Sequence, residues 1–157
     1  MANDPTVSLE QLVSELPEYA RVLGLDLGTK TIGMALSDVS RTVATPLSTI
    51  KRTKFKADAE ELFATIDEHE IAGLILGMPV NLDGTEGPRA QSTRSFARNI
   101  SQLREIPIVL WDERLSTVAA ERTLLEADAS RKRRSEVIDK MAAGFILQGA
   151  LDRMKAL

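Results

Sequence analysis

The stretch from Arg21 to Asp38, RVLGLDLGTKTIGMALSD, constrains the fold more than any other. Strand side chains alternate between faces, so Val22, Gly24 and Asp26 share one face and Leu23, Leu25 and Leu27 the other. Gly28-Thr29-Lys30 turns the chain. Ile32, Met34 and Leu36 then alternate with Gly33, Ala35 and Ser37, the period-two signal of a second strand. The segment predicts a β-hairpin with a carboxylate planted in its first strand. An ionised carboxylate in an apolar strand is costly unless a cation, a metal ion or hydrogen-bond donors meet it. Asp26 is therefore either a cap on the glycine turn or an acid placed to bind something.

A chain of 157 residues suits one domain with one sizeable core. With 43% hydrophobic and 27% charged residues it has the composition of an ordinary globular protein rather than a disordered one. There is no cysteine, which excludes thiolate metal sites, thiol nucleophiles and a disulfide scaffold. No apolar run approaches the ~20 residues that span a bilayer. The opening MANDPTVSLEQ has neither a basic flank nor an apolar signal core. The expectation is a cytoplasmic protein without a membrane partner. A net charge of −3 argues against bulk nonspecific binding to nucleic acid but leaves room for a local basic patch.

Residues 1–20 read as a helical extension, and residues 21–157 as the main domain. Ser8 and Gln11 have capping-box spacing. Leu9, Leu12, Val13 and Leu16 form a short apolar stripe, and Pro17 stops the helix. After the hairpin, Thr42 to Ile50 is β-rich, with Pro46 marking an edge or a bulge, so the first three strands form an antiparallel meander. Lys54 to Glu70 predicts a helix buried through Ala59, Leu62, Phe63 and Ile66. Its acids Asp58, Glu60, Glu61, Asp67 and Glu68 are expected on the solvated face, and His69 at the surface. Ala72 to Gly77 (AGLILG) and Ile106 to Trp111 (IPIVLW) read as strands buried on both faces. Between them lie a glycine- and proline-bearing loop and a helix from about Glu86 to Arg104.

Loops at the C-terminal ends of parallel strands are where open α/β sheets take ligands. Thr85 and the following helix N-terminus either receive a phosphate or simply connect strand to helix. A helix capped by Ser116 or Thr117 is expected to run to about Glu126. Four cations, Arg131 to Arg134, precede a last helix from Glu136 to Lys155, with Ser135 as its cap. Ile138, Met141, Ala142, Phe145 and Gly149 mark its packed face, and Asp139 stands one residue from that face. The fold class is α/β, a mixed sheet flanked by helices.

Three acids then share a description: Asp26 inside a strand, Glu113 at the end of a later buried strand, and Asp139 on the closing helix. If the strand carrying Glu113 lies beside the first strand, the ends of both meet the last helix. Clustered carboxylates repel unless a cation relieves them. All-oxygen ligation without His or Cys selects Mg²⁺ or Mn²⁺. Two such ions about 3.5–4 Å apart polarise a phosphodiester and stabilise its leaving oxygen.

GLDLGTKTIGMALSD, LILGMPVNLDGTEGPRA, DERLST and EVIDKMAAGFIL, in that order, resemble the YqgF/RuvX family over about Arg21 to Asp152. The resemblance implies an RNase H-like fold related to the RuvC resolvases. It implies a nuclease maturing the 5′ end of pre-16S ribosomal RNA, or by analogy a Holliday-junction resolvase. It also implies that Asp26, Glu113 and Asp139 are the catalytic, metal-binding triad.

Supporting roles follow from the residues themselves. Arg114 either clamps a phosphate oxygen or pairs with Asp112. Lys30 either neutralises the scissile phosphate or is an exposed turn lysine. Arg131, Lys132, Arg133 and Arg134 either grip a nucleic-acid backbone or form a solvated face. With only six aromatic residues, backbone and shape recognition is favoured over base stacking.

The expected partner is RNA, or branched DNA, with the ribosome as a further candidate and a monomer or homodimer as the unit. Three rivals stand beside this expectation. Asp-Leu-Gly-Thr also resembles the first phosphate motif of the actin, heat-shock chaperone and sugar-kinase group, but those proteins close two such domains over ATP. A noncatalytic RNA- or ribosome-binding module is the second. The third, a junction resolvase, needs a symmetric dimer.

Overall fold

The computed structural model describes residues 4–115 and 131–157, with side chains in the second stretch from Val137 onward. The hairpin forms as its alternation requires. β1 (Arg21–Leu27) and β2 (Thr31–Ser37) pair antiparallel, with Leu25 opposite Met34 and Asp26 opposite Gly33. β3 (Ala44–Lys51) joins β2 antiparallel. Its register slips where Met34 faces Ser48 and Ala35 faces Pro46. Proline lacks the N–H that a ladder needs, so bulge and edge position coincide at Pro46.

β4 (Ile71–Met78) runs parallel to β1, and β5 (Ile108–Asp112) parallel to β4. The strand order is β3-β2-β1-β4-β5. β5 is therefore not the neighbour of β1, as placing Glu113 beside the first strand required; β4 lies between them. β4 is apolar along nearly all its length and takes the interior position. β5 is shorter, half-exposed at Leu110 and Asp112, and takes the edge.

Each face of the sheet has its own core. Leu23, Leu25 and Leu27 pack with Ile32, Leu74 and Leu76 beneath α2 (Phe55–His69) and α3 (Pro88–Leu103). Val22, Ala35, Ile75, Val109 and Trp111 pack beneath α4 (Arg131–Lys155) and α1 (Leu9–Glu15). At α1, Ser8 Oγ accepts the Gln11 N–H at 3.1 Å, and Leu9 and Leu12 enter the second core. No helix among the described residues is long and apolar enough to cross a membrane.

Four local expectations are corrected. Asp58 is 5% exposed rather than solvated. It accepts the Thr53 N–H at 3.0 Å and the Thr53 hydroxyl at 3.3 Å, tying the end of β3 to the first turn of α2. There the helix dipole also favours an anion. His69 is partly buried where α2 ends. α4 spans Arg131–Lys155, so Ser135 lies inside it rather than at its N-cap position; Arg and Lys are good helix formers and no Gly or Pro interrupts the run.

The fourth correction is the packed face of α4. Ile138, Ala142, Ala143, Ile146, Leu147, Ala150 and Leu151 are buried, while Met141, Phe145 and Gly149 are only partly so. Ile138 and Ala142 are buried as expected, and the face is turned to include Ala143, Ile146, Leu147, Ala150 and Leu151. The helix expected from Ser116 or Thr117 lies outside the described residues, as do the side chains of Arg131, Lys132, Arg133 and Arg134.

Candidate active site

Asp26, only 2% exposed, faces the α4 side of the sheet near the C-terminal end of β1. Its partner on β2 is Gly33. On β4, one step beyond the Leu25–Leu76 pair, its neighbour is Gly77. Neither has a β-carbon, and this decides where the other two acids go. A Cβ on Gly33 would lie 2.0 Å from the Asp139 carbonyl oxygen. A Cβ on Gly77 would lie 2.8 Å from Glu113 Oε1. Real Cβ atoms do not approach that closely, so the two glycines are what admit α4 over β2 and the Glu113 side chain over β4. Glu113 starts the 3₁₀ turn Glu113–Leu115 directly after β5. It thus reaches toward Asp26 across a strand that has no side chain at that point. Gly28 adds a third clearance, since a Cβ there would stand 2.7 Å from Asp139 Oδ2.

Thr31 was not among the residues singled out from the sequence. It is 4% exposed and its hydroxyl donates to Asp139 Oδ2. Thr31 and Gly33 lie on the same face of β2, so one holds the Asp139 carboxylate while the other makes room for its backbone. The signal available in sequence was a hydroxyl two residues before a glycine on the Asp26 face. Thr31→Val keeps the shape and removes the donor, leaving a partly buried carboxylate oxygen short of one partner. It should cost about 1–3 kcal/mol of unfolding free energy, read from denaturant midpoints; a midpoint equal to that of wild type would reduce Thr31 to a packing residue.

The donor set is carboxylate oxygen only, which suits a hard divalent cation. The space a β-carbon would fill at Gly28 and Gly77 is kept for the carboxylates of Asp139 and Glu113. Among the described residues, no three His, Cys, Asp or Glu side chains already stand in ligating geometry. The three acids face the same side of the sheet without standing in ligating geometry.

The surrounding groups are placed as follows. Lys30 is exposed in the turn after Asp26. Arg114 forks onto Asp112, with Nε 3.1 and 3.0 Å from its two oxygens and Nη2 2.6 Å from Oδ2. That guanidinium holds the Asp112 carboxyl below the usual carboxylate range. Thr85 is exposed in the loop after β4, with its N–H and hydroxyl donating to Asp83 Oδ1 at 2.9 and 2.6 Å. α3 begins only at Pro88, so Thr85 precedes the helix rather than heading it. Arg131 to Arg134 open α4.

A family model described as RuvX, Holliday junction resolvase, matches residues 20–153. The chain belongs to the RuvX family. A relative from Paramagnetospirillum magneticum, named "Putative pre-16S rRNA nuclease", is 63% identical over 148 residues, covering 94% of this chain and 96% of that protein. A relative of the same name from Rhodobacter capsulatus is 61% identical over 149 residues, covering 95% and 94%. Among solved structures, T. thermophilus RuvC in complex with a Holliday junction substrate superposes with a TM-score of 0.51 at 12% identity. That match covers 86% of this chain and 96% of RuvC. The RuvX chain thus has the RNase H-like fold of the RuvC resolvases: an antiparallel meander, two parallel strands and flanking helices.

Proposed function

We propose that this RuvX-family chain is a divalent-metal-dependent nuclease that hydrolyses phosphodiester bonds in structured RNA, with the 5′ leader of pre-16S ribosomal RNA as substrate. The observation that carries the reading is the pair of glycines beside Asp26 that bring Asp139 and Glu113 to the same face. Three carboxylates facing one side of the sheet, an all-oxygen set without His or Cys, suit a hard divalent cation and the phosphate it neutralises.

Asp26, Glu113 and Asp139 would hold Mg²⁺ or Mn²⁺, one or two ions. When bound, such a metal polarises the phosphoryl oxygen and lowers the pKa of attacking water. The chain itself fixes the acids. Asp26 is rigid in the sheet, Asp139 is oriented by the Thr31 hydroxyl, and Glu113 is seated over Gly77. Lys30, Thr85, Arg114 and the Arg131–Arg134 run are the candidate backbone contacts, in keeping with recognition by shape and phosphate rather than by base. A cytoplasmic setting, near or on the ribosome, fits this substrate.

A second reading, cleavage of a four-way DNA junction, is favoured by the family model's description and requires two copies of the chain acting symmetrically. The test offers a pre-16S leader transcript and a synthetic junction in Mn²⁺ or Mg²⁺. The expected result is discrete cleavage of the transcript with the junction intact. Symmetric nicking of the junction with the transcript intact would reverse the choice.

A further inference from the structure

Two arginines not used above converge on the backbone directly after Asp26. Arg89 Nη2 donates to the Leu27 carbonyl at 3.2 Å, and Arg52 Nη1 to the Gly28 carbonyl at 2.7 Å. They arrive from opposite flanks. Arg52 follows β3, on the β2 side, and its own N–H donates to the Lys30 carbonyl at 2.9 Å. Arg89 is the second residue of α3, which follows β4.

Each guanidinium has five N–H donors, and one hydrogen bond to a neutral carbonyl leaves most of that capacity unused. Arg94, Arg104 and Arg114 each pair with a carboxylate. Among the described residues, neither Arg52 nor Arg89 does so. Two cations with no carboxylate partner among the described residues, braced on successive carbonyls, call for an anion. The peptide that they brace adjoins Gly28, whose cleared space lies against Asp139 Oδ2.

We infer that Arg52 and Arg89 form a two-guanidinium phosphate clamp at the end of β1, gripping the nucleic-acid backbone beside the acid cluster. The clamp rests on the nuclease reading. Guanidinium forks match phosphate oxygens bidentately, and a grip on both flanks of the Asp26 strand fixes the register of the substrate without reading a base. A purely structural role, bracing the turn, predicts loss of stability without a change in the charge count of binding.

The two roles separate by salt dependence. Binding of a short fluorescein-labelled single-stranded RNA is followed by fluorescence anisotropy across a KCl series, in EDTA so that nothing is cut. Each lost phosphate contact lowers the slope of log K against log salt by about 0.7 on single strands, so Arg52→Gln with Arg89→Gln should reduce its magnitude by about 1.4. Arg52→Lys with Arg89→Lys keeps both charges and should retain the wild-type slope. If the double Gln variant no longer melts cooperatively, the single variants are read instead, each expected to lose about 0.7. Tight wild-type binding with the same slope in the Gln variants overturns the clamp and leaves the nuclease reading standing. Failure of the wild type to bind either this RNA or a four-way DNA junction overturns both.

Discussion

Asp26→Asn is expected to remove cleavage while the protein stays folded. The side chains are nearly isosteric, and Asp26 sits inside β1 with 2% exposure, so the substitution changes charge and little else. A metal bound by carboxylates contributes several kcal/mol to stabilising charge in the transition state. At 1.36 kcal/mol per factor of ten, the loss should be roughly a thousandfold or more. The protein should still melt in one cooperative transition, because the substitution keeps the size and shape of a side chain held inside the sheet. Cleavage of the leader transcript and a circular-dichroism melt on the same preparation check both halves. Loss of activity together with loss of the melting transition would point to a structural acid.

Gly33→Ala should be the most damaging glycine-to-alanine change among the described residues. Its Cβ would meet the Asp139 carbonyl oxygen at 2.0 Å, the Asp139 carbonyl carbon at 2.2 Å and the Lys140 nitrogen at 2.7 Å, all of them helix backbone. Helix backbone cannot rotate aside, so α4 must move bodily. The expected cost is about 3 kcal/mol or more, at the upper end of overpacking. Asp139 moves with the helix, so turnover should fall even below the melting temperature.

Gly77→Ala is the internal comparison. Its nearest atoms are Ile146 Cδ1 at 2.3 Å and Glu113 Oε1 at 2.8 Å, both side-chain ends that can swing. Stability should suffer less there than at Gly33. Denaturant midpoints for the two variants measure the difference. A Gly33→Ala protein within about 0.5 kcal/mol of wild type would mean that α4 does not depend on that approach.

What was legible in the sequence follows from where the physical signals reside. Alternation is imposed by the pleat, so the faces of Asp26 and Leu25 could be read directly, as could the bulge at Pro46. Strand order is not written in alternation, and the position of β4 between β1 and β5 came from which strand can bear burial on both faces. The packed face of α4 was read in part: Ile138 and Ala142 are buried as expected, and Met141, Phe145 and Gly149 lie at its margin. Ala143, Ile146, Leu147, Ala150 and Leu151 complete the buried face, which is turned slightly from the one the spacing suggested. Asp58 carried no sequence mark that separated it from its solvated neighbours.

The acids of the proposed site could be picked out in the sequence, but the residues that pack around them could not. Gly33, Gly77 and Thr31 act on residues more than thirty positions away, Gly33 and Thr31 on Asp139 and Gly77 on Glu113. A missing side chain gives no hydrophobic signal at all. Only the three-dimensional register beside Asp26 reveals the glycines as the parts that admit the other two carboxylates.

The most direct test of the account compares initial rates of leader-transcript cleavage in Mn²⁺ for wild type, Asp26→Asn, Glu113→Gln, Asp139→Asn and the triple variant. Groups that act as one unit are grossly non-additive. The predicted result is that each single variant falls to the residual rate of the triple variant. A single variant that cleaves at the wild-type rate, or losses that multiply from one substitution to the next, would contradict a single shared site.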